Sequence, residues 1–172
     1  MQRTRVVPKI HGVWPCPNKN HFLRFGAIKI VAHDDGSEYV DIPNATLDTD
    51  INSISKVLIR IHRCIGTVSE TTCEYFNSFT WTTALCQLIK IKGVFWTPLK
   101  ESIHPKAECP IKQGHYEVIN GSTNYDQMGD ILGSGLEKFV WRGDLEIFNE
   151  RGDLAACSLI HSEFRRILAK HR

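Results

Sequence analysis

I-S-K-V-L-I-R-I-H-R-C, running from Ile54 to Cys64, repeats with a period of two. Val57, Ile59 and Ile61 fall on one face, while Lys56, Leu58, Arg60 and His62 fall on the other. Successive side chains of a strand point to opposite sides, so this spacing predicts a half-buried strand with one apolar face. The alternation recurs on both sides of it. Ile28 and Ile30 flank Lys29, and Tyr39 to Ile42 follows a turn at Asp34, Asp35 and Gly36. Tyr116 and Val118 alternate with His115 and Glu117, Leu145 and Ile147 flank Glu146, and Leu154 to His161 carries Cys157. N-E-R-G-D, from Asn149 to Asp153, has the composition of a hairpin turn. Short strands at fairly regular spacing predict an all-β antiparallel sandwich or open cup, one domain over residues 1–172.

Two stretches read as helix. T-T-C-E at 71–74 has the form of a capping box, with Thr71 as N-cap and Glu74 at N3. Phe76, Phe79, Thr83, Cys86 and Ile89 follow at helical spacing, so one short helix is expected from about Thr72 to Leu88. Ser162 to Lys170 places Phe164, Ile167 and Leu168 on one helical face and reads as a short terminal helix. Residues 1–15 and 163–172 are expected to be flexible ends.

Composition narrows the function. The chain has 172 residues, is 42% hydrophobic and 23% charged, and carries a net charge of +2 from 21 basic and 19 acidic residues. That balance offers no footprint for nucleic acid. Basic residues do gather at the ends, with Arg3, Arg5 and Lys9 at one and Arg165, Arg166, Lys170 and Arg172 at the other, as solvated termini. The six cysteines, Cys16, Cys64, Cys73, Cys86, Cys109 and Cys157, are even in number, widely spread and free of any C-x-x-C pair. Three disulfides in an oxidising compartment account for them better than a zinc site does, although spacing leaves the pairing open. Asn44-Ala45-Thr46 and Asn120-Gly121-Ser122 are N-glycosylation sequons and point the same way. The start, M-Q-R-T-R-V-V-P-K, lacks the apolar stretch of an intact signal peptide, so a leader is expected to have been removed and Met1 added. No run of 18 apolar residues predicts a transmembrane segment.

Catalytic signatures are not found. The eight histidines form neither H-E-x-x-H nor a close pair, and G-x-S-x-G, P-loop and dinucleotide fingerprints are lacking. No metal, no cofactor and no enzymatic activity are expected. Arg-Gly-Asp occurs at Arg142 to Asp144 and at Arg151 to Asp153, where ordinary turn chemistry explains it better than integrin binding does. I-K-G-V-F-W-T-P-L-K, from Ile91 to Lys100, is more informative. Val94, Phe95, Trp96 and Leu99 are bulky and apolar in a stretch that Gly93 and Pro98 keep irregular, so the loop either folds onto the core or meets an apolar partner.

Several of these stretches together resemble the ganglioside-activator branch of the ML lipid-recognition superfamily, which includes insect relatives linked to contact chemosensation. They are I-H-R-C ending at Cys64 with C-E-Y-F nine residues on, T-P-L-K at Thr97 to Lys100, C-P-I-K-Q-G-H-Y at Cys109 to Tyr116, and G-D-L-E-I-F-N-E-R-G-D-L-A-A-C ending at Cys157. The resemblance covers about residues 54–160; before that, only Cys16 matches. It implies an immunoglobulin-like β-cup around an apolar pocket that holds a lipid or fatty acyl chain, with no catalytic residues. It further implies the pairing Cys16–Cys157, Cys64–Cys73 and Cys86–Cys109, and a secreted or lysosomal protein that presents its ligand to a hydrolase or a receptor. The family's further disulfide near Ile103 to Ala107 is lacking, and Cys73 and Cys86 are more widely spaced. Combined with the period-two faces, the cup makes Ile28, Ile30, Val57, Ile59, Ile61, Val118, Leu145 and Ile147 the expected pocket lining. Val94, Phe95, Trp96 and Leu99 become the expected mouth, in transient contact with ligand or membrane. The alternative is an extracellular interaction or receptor-accessory domain that needs no lipid.

Overall fold

The computed structural model describes residues 3–169; Met1, Lys170 and Arg172 lie outside them. In chain order the strands are β1 (Thr4–Pro15), β2 (Leu23–Phe25), β3 (Lys29–Ala32), β4 (Glu38–Leu47), β5 (Ile54–Cys64), β6 (Cys73–Trp81), β7 (Ile103–His104), β8 (Gly114–Gly121), β9 (Val140–Asn149) and β10 (Leu154–Leu168). They form two five-stranded antiparallel sheets, one ordered β1-β10-β9-β5-β6 and the other β2-β4-β8-β7 with β3 on β4. Among the described residues helix is confined to the short segments α1 (Leu85–Leu88), α2 (Thr97–Glu101) and α3 (Met128–Leu132) and two 3₁₀ turns. The sandwich expected from the alternation is therefore the fold.

The register explains why the apolar faces cohere. On the inner face of the first sheet Val57, Ile59 and Ile61 of β5 sit opposite Ile147, Leu145 and Gly143 of β9, and opposite Trp81, Phe79 and Asn77 of β6. Cross-strand neighbours of this kind are the unit of sheet stabilisation. Three buried clusters form the core, the first packing the first sheet against the helical segment after β8 and the other two joining the sheets. One holds Val6, Ile61, Leu132, Leu136, Trp141 and Phe164. There the Trp141 Nε1–H donates to the Leu136 carbonyl at 2.8 Å, and the Phe76 and Phe139 rings meet Trp141 edge-on. A second holds Leu47, Ile51, Ile54, Leu85, Ile111 and Ala155, and a third sets Ile10 of β1 against Val40, Ile42 and Ala45 of β4.

The three disulfides are Cys16–Cys157, Cys64–Cys73 and Cys86–Cys109, the pairing the resemblance implied. The free edge of β1 is covered: the Ile10 N–H donates to Glu38 and the Val6 N–H to Asp126. Unpaired edge amides invite association with another chain, and these carboxylates occupy them.

Both expected longer helices are corrected. Residues 73–81 are strand β6, and only Leu85–Leu88 of the segment is helical. The Cys64–Cys73 bond joins directly opposed residues and sets the hairpin. No cap forms at Thr71; the Thr72 hydroxyl instead donates to the Thr67 carbonyl and accepts from the Ser69 N–H, closing the turn. Ser162 onwards continues β10 as far as Leu168, paired with β1 from Thr4. Of the expected flexible ends, Thr4–Pro15 is β1 and residues 163–168 are the last part of β10, paired with β1 from Thr4 to Lys9.

Candidate functional site

The inner face of the first sheet is open in its middle. Ile160 of β10 lies opposite Val13 of β1 and Gly143 of β9, on the same side as buried Ser162 and Phe164. A side chain there, on an internal strand and facing the other sheet, is fully enclosed in a closed sandwich. Ile160 is instead 39% exposed. Further along the same face Leu145 is half-buried, as are Ile59 and Phe79 against the Trp141 cluster and Val57, Trp81 and Ile147 against the Ile51 cluster. The clusters around Trp141 and around Ile51 close the two ends, leaving accessible apolar surface between them.

Of the residues expected to line a pocket, Val57, Ile59, Leu145 and Ile147 lie together on this open surface. Ile61 is 7% exposed and belongs to the closed core. Ile28, Ile30 and Val118, on the side of the second sheet, are half-buried in the third cluster against Ile10 of β1 and Val40, Ile42 and Ala45 of β4. Phe79, Trp81 and Ile160 were missed by sequence reasoning. The first two were assigned to a helix, although Phe79-Thr80-Trp81 alternates, and Ile160 shares its face with Ser158 and Ser162, so that face reads as polar.

The segment expected at a mouth forms a turn into α2, with Val94, Phe95, Trp96 and Leu99 half-buried. The Thr97 hydroxyl organises it, accepting from the Val94 N–H at 3.1 Å and donating to the Ile91 carbonyl. The Phe95 carbonyl accepts from the Asn124 N–H. The Trp96 ring packs edge-on against Trp81, with centroids 6.3 Å apart, at the end of the open face. Its Nε1–H is buried without a partner. Beyond it Lys90, Ile91 and Lys92 are exposed.

Behind the open face the usual polarity is inverted. Asp144 and Glu146, on the outer side of β9, are 7% and 3% exposed, so they are more enclosed than Leu145 and Ile147 on the inner side. Burial pushes the Glu146 carboxyl up, but hydrogen bonds and charge from Lys19 and Arg60 outweigh it and hold it below the usual carboxylate range. The resulting stability is fully present above the ordinary glutamate value of about 4.3 and is lost as pH falls through the lower folded value. Glu146→Gln is expected to cost about 1–3 kcal/mol at pH 7, since Lys19 and Arg60 can turn to water. The cost should shrink on acidification below pH ~4, where the wild-type carboxylate also protonates. Thermal melts of both proteins from pH 3 to 7 check this; a pH-independent difference would contradict it.

Other motifs resolve simply. Arg142 to Asp144 is internal to β9. Arg151 to Asp153 occupies the hairpin tip, where Gly152 takes a φ of 79° and the Arg151 Nε lies 3.6 Å from an Asp153 oxygen, so the two charges face each other. Asn44 and Asn120 are exposed. Among the described residues no group of three or more His, Cys, Asp or Glu could hold a metal, and no helix is long and apolar enough to cross a membrane.

No known family profile matches the sequence, and no curated protein matches it. Among solved structures, the chain is similar to chicken MD-1 complexed with lipid IVa. Identity is 15% over 95% of this chain and 98% of that one, with a TM-score of 0.39.

Proposed function

We propose that this protein is a secreted carrier that holds a lipid or other apolar molecule between its sheets and catalyses no reaction on it. The exposure of inward-facing Ile160 carries this reading, because apolar surface left open between sheets forfeits packing unless something fills it. The lining is Val57, Ile59, Leu145, Ile147, Phe79 and Trp81, faced by Ile28, Ile30 and Val118. The sequence resemblance to the ganglioside-activator branch agrees, and so does the full pairing of the cysteines. Glycans at exposed Asn44 and Asn120 belong to the same reading. The ligand is handed to a hydrolase or receptor. Titration with cis-parinaric acid tests the carrier reading: saturable fluorescence displaced by oleate is expected, and no displaceable binding at micromolar protein rejects it.

Val94, Phe95, Trp96 and Leu99 form the mouth in this reading, with Lys90 and Lys92 placed for anionic headgroups. The double change Phe95→Ser and Trp96→Ser is expected to cut binding to vesicles containing phosphatidylserine at least tenfold, because two aromatic rings add roughly 3 kcal/mol or more to association. Melting should move by only a few degrees. A large fall in melting temperature with unchanged vesicle binding would show that the rings only plug the fold.

A second reading has its own observation. Ile65 and Tyr75, beside the Cys64–Cys73 bond, are 74% and 60% exposed and form an apolar spot suited to a protein partner. A receptor-accessory role would use that tip with or without lipid.

A further inference from the structure

We propose a second small-molecule site, separate from the space between the sheets: a groove of about 670 Å³ beside β1 and β2 that takes a neutral apolar alcohol of terpenoid or sterol size. Trp14, Leu159 and His161 line one wall, and Leu23 and Phe25 line the other. Trp14 pairs with Leu159, and Leu159 with Asp144, so this wall belongs to the outer side of the first sheet. Ile160 and Leu145 point the opposite way. The loop after Cys16 closes the groove, anchored by the Cys16–Cys157 bond and by Lys19 on Glu146. Its volume falls within the range of about 300–1,000 Å³ typical of small-molecule sites.

The lining sets the ligand's chemistry. Its permanent charge, Arg24, is already held by Asp48 through two hydrogen bonds of 2.6 and 2.9 Å, so no cation is left to select an acid. His161 packs edge-on against Trp14 with ring centroids 4.7 Å apart. Burial, then the neighbouring Arg142 and His11, hold its pKa below the usual histidine value despite an opposing pull from Asp144, which keeps the ring neutral at pH 7. His161 Nε2 is buried without a partner. A buried nitrogen left unpaired costs free energy, which a ligand recovers once the His161 ring turns to present it to the groove. Whether it donates or accepts depends on the tautomer, and a hydroxyl answers either need. The Trp14 ring, 42% exposed, offers the flat apolar contact that a polycyclic or terpenoid skeleton fits.

Dehydroergosterol delivered from cyclodextrin, read by energy transfer from tryptophan, tests the site. Wild type should show saturable transfer that saturating palmitate does not displace. His161→Leu should weaken binding about fivefold, the loss of one hydrogen bond. Gly26 also lines the groove; it lies outside the left-handed region and a Cβ there meets nothing within 4 Å. Gly26→Leu should therefore fold normally and block the groove, lowering affinity at least tenfold. That variant decides the matter if His161→Leu does not fold. The proposal is overturned if wild type shows no saturable transfer, or if folded Gly26→Leu binds as tightly as wild type. Palmitate displacing the sterol would place it between the sheets and overturn the groove as well. Failure here leaves the carrier reading standing, because that reading rests on the inner face.

Discussion

Replacing Cys16 and Cys157 together with serine is expected to destabilise the protein by roughly 5 kcal/mol, the largest effect of any pair of changes considered. The bond joins residues 141 apart in sequence, so it removes loop-closure freedom from nearly the whole unfolded chain. At about 2–4 °C per kcal/mol for a chain of this size, melting should fall by about 10–20 °C. Cys64 and Cys73 are only 9 apart, and their double replacement should cost closer to 3 kcal/mol. Calorimetry of both variants checks the ordering. A smaller loss for Cys16 and Cys157 than for Cys64 and Cys73 would show that strain or residual structure, not chain entropy, governs these bonds. The ordering bears on the carrier proposal, because an interior left open for a ligand forfeits packing that a long covalent loop offsets.

Leu145 gives the second large effect. Leu145→Asp puts a carboxylate on the open inner face, where ligand binding would have to strip it of water. That penalty is several kcal/mol, so affinity for cis-parinaric acid should fall about 100-fold or more. The unliganded protein should keep most of its stability, because the carboxylate there still reaches water. Leu145→Trp makes the complementary test. In a close-packed core, adding such volume costs about 1–3 kcal/mol. On an open face the ring has room, so melting should hold or rise while ligand capacity drops. Strong destabilisation of Leu145→Trp would mean that the two sheets are closed around this position.

How much of this was legible beforehand depends on where each residue's partners lie. Ile54–Cys64 was readable because its alternation is unbroken and its inward side is uniformly apolar. β6 was not, and the register shows why. A bulge between Ile61 and His62 leaves Phe76 unpaired, with Tyr75 opposite His62 and Asn77 opposite Ile61. A bulge shifts the phase of a strand by one, so Phe76 and Phe79, three apart, pack against the same cluster and imitate a helical repeat. The end of β10 misled for another reason. Phe164 faces inward and is buried, whereas Ile167, three residues on in an unbroken register, points to the opposite face, so the apparent helical stripe is two faces of one strand. What fixes that strand is β1, more than 150 residues away, and no local pattern records it. The shared face of the expected pocket residues was visible, but the exposure along it was not. Period two put Val57, Ile59, Leu145 and Ile147 on one face, but the enclosure of Ile61 and the exposure of Ile160 depend on how far the sheets splay.

The most direct test is mass spectrometry of an organic-solvent extract of the glycosylated protein, purified without detergent from secreting cells. The account predicts an apolar molecule present at close to one per chain, absent from the same extract of Leu145→Asp. An empty extract from wild type, together with no saturable uptake of cis-parinaric acid, would contradict it.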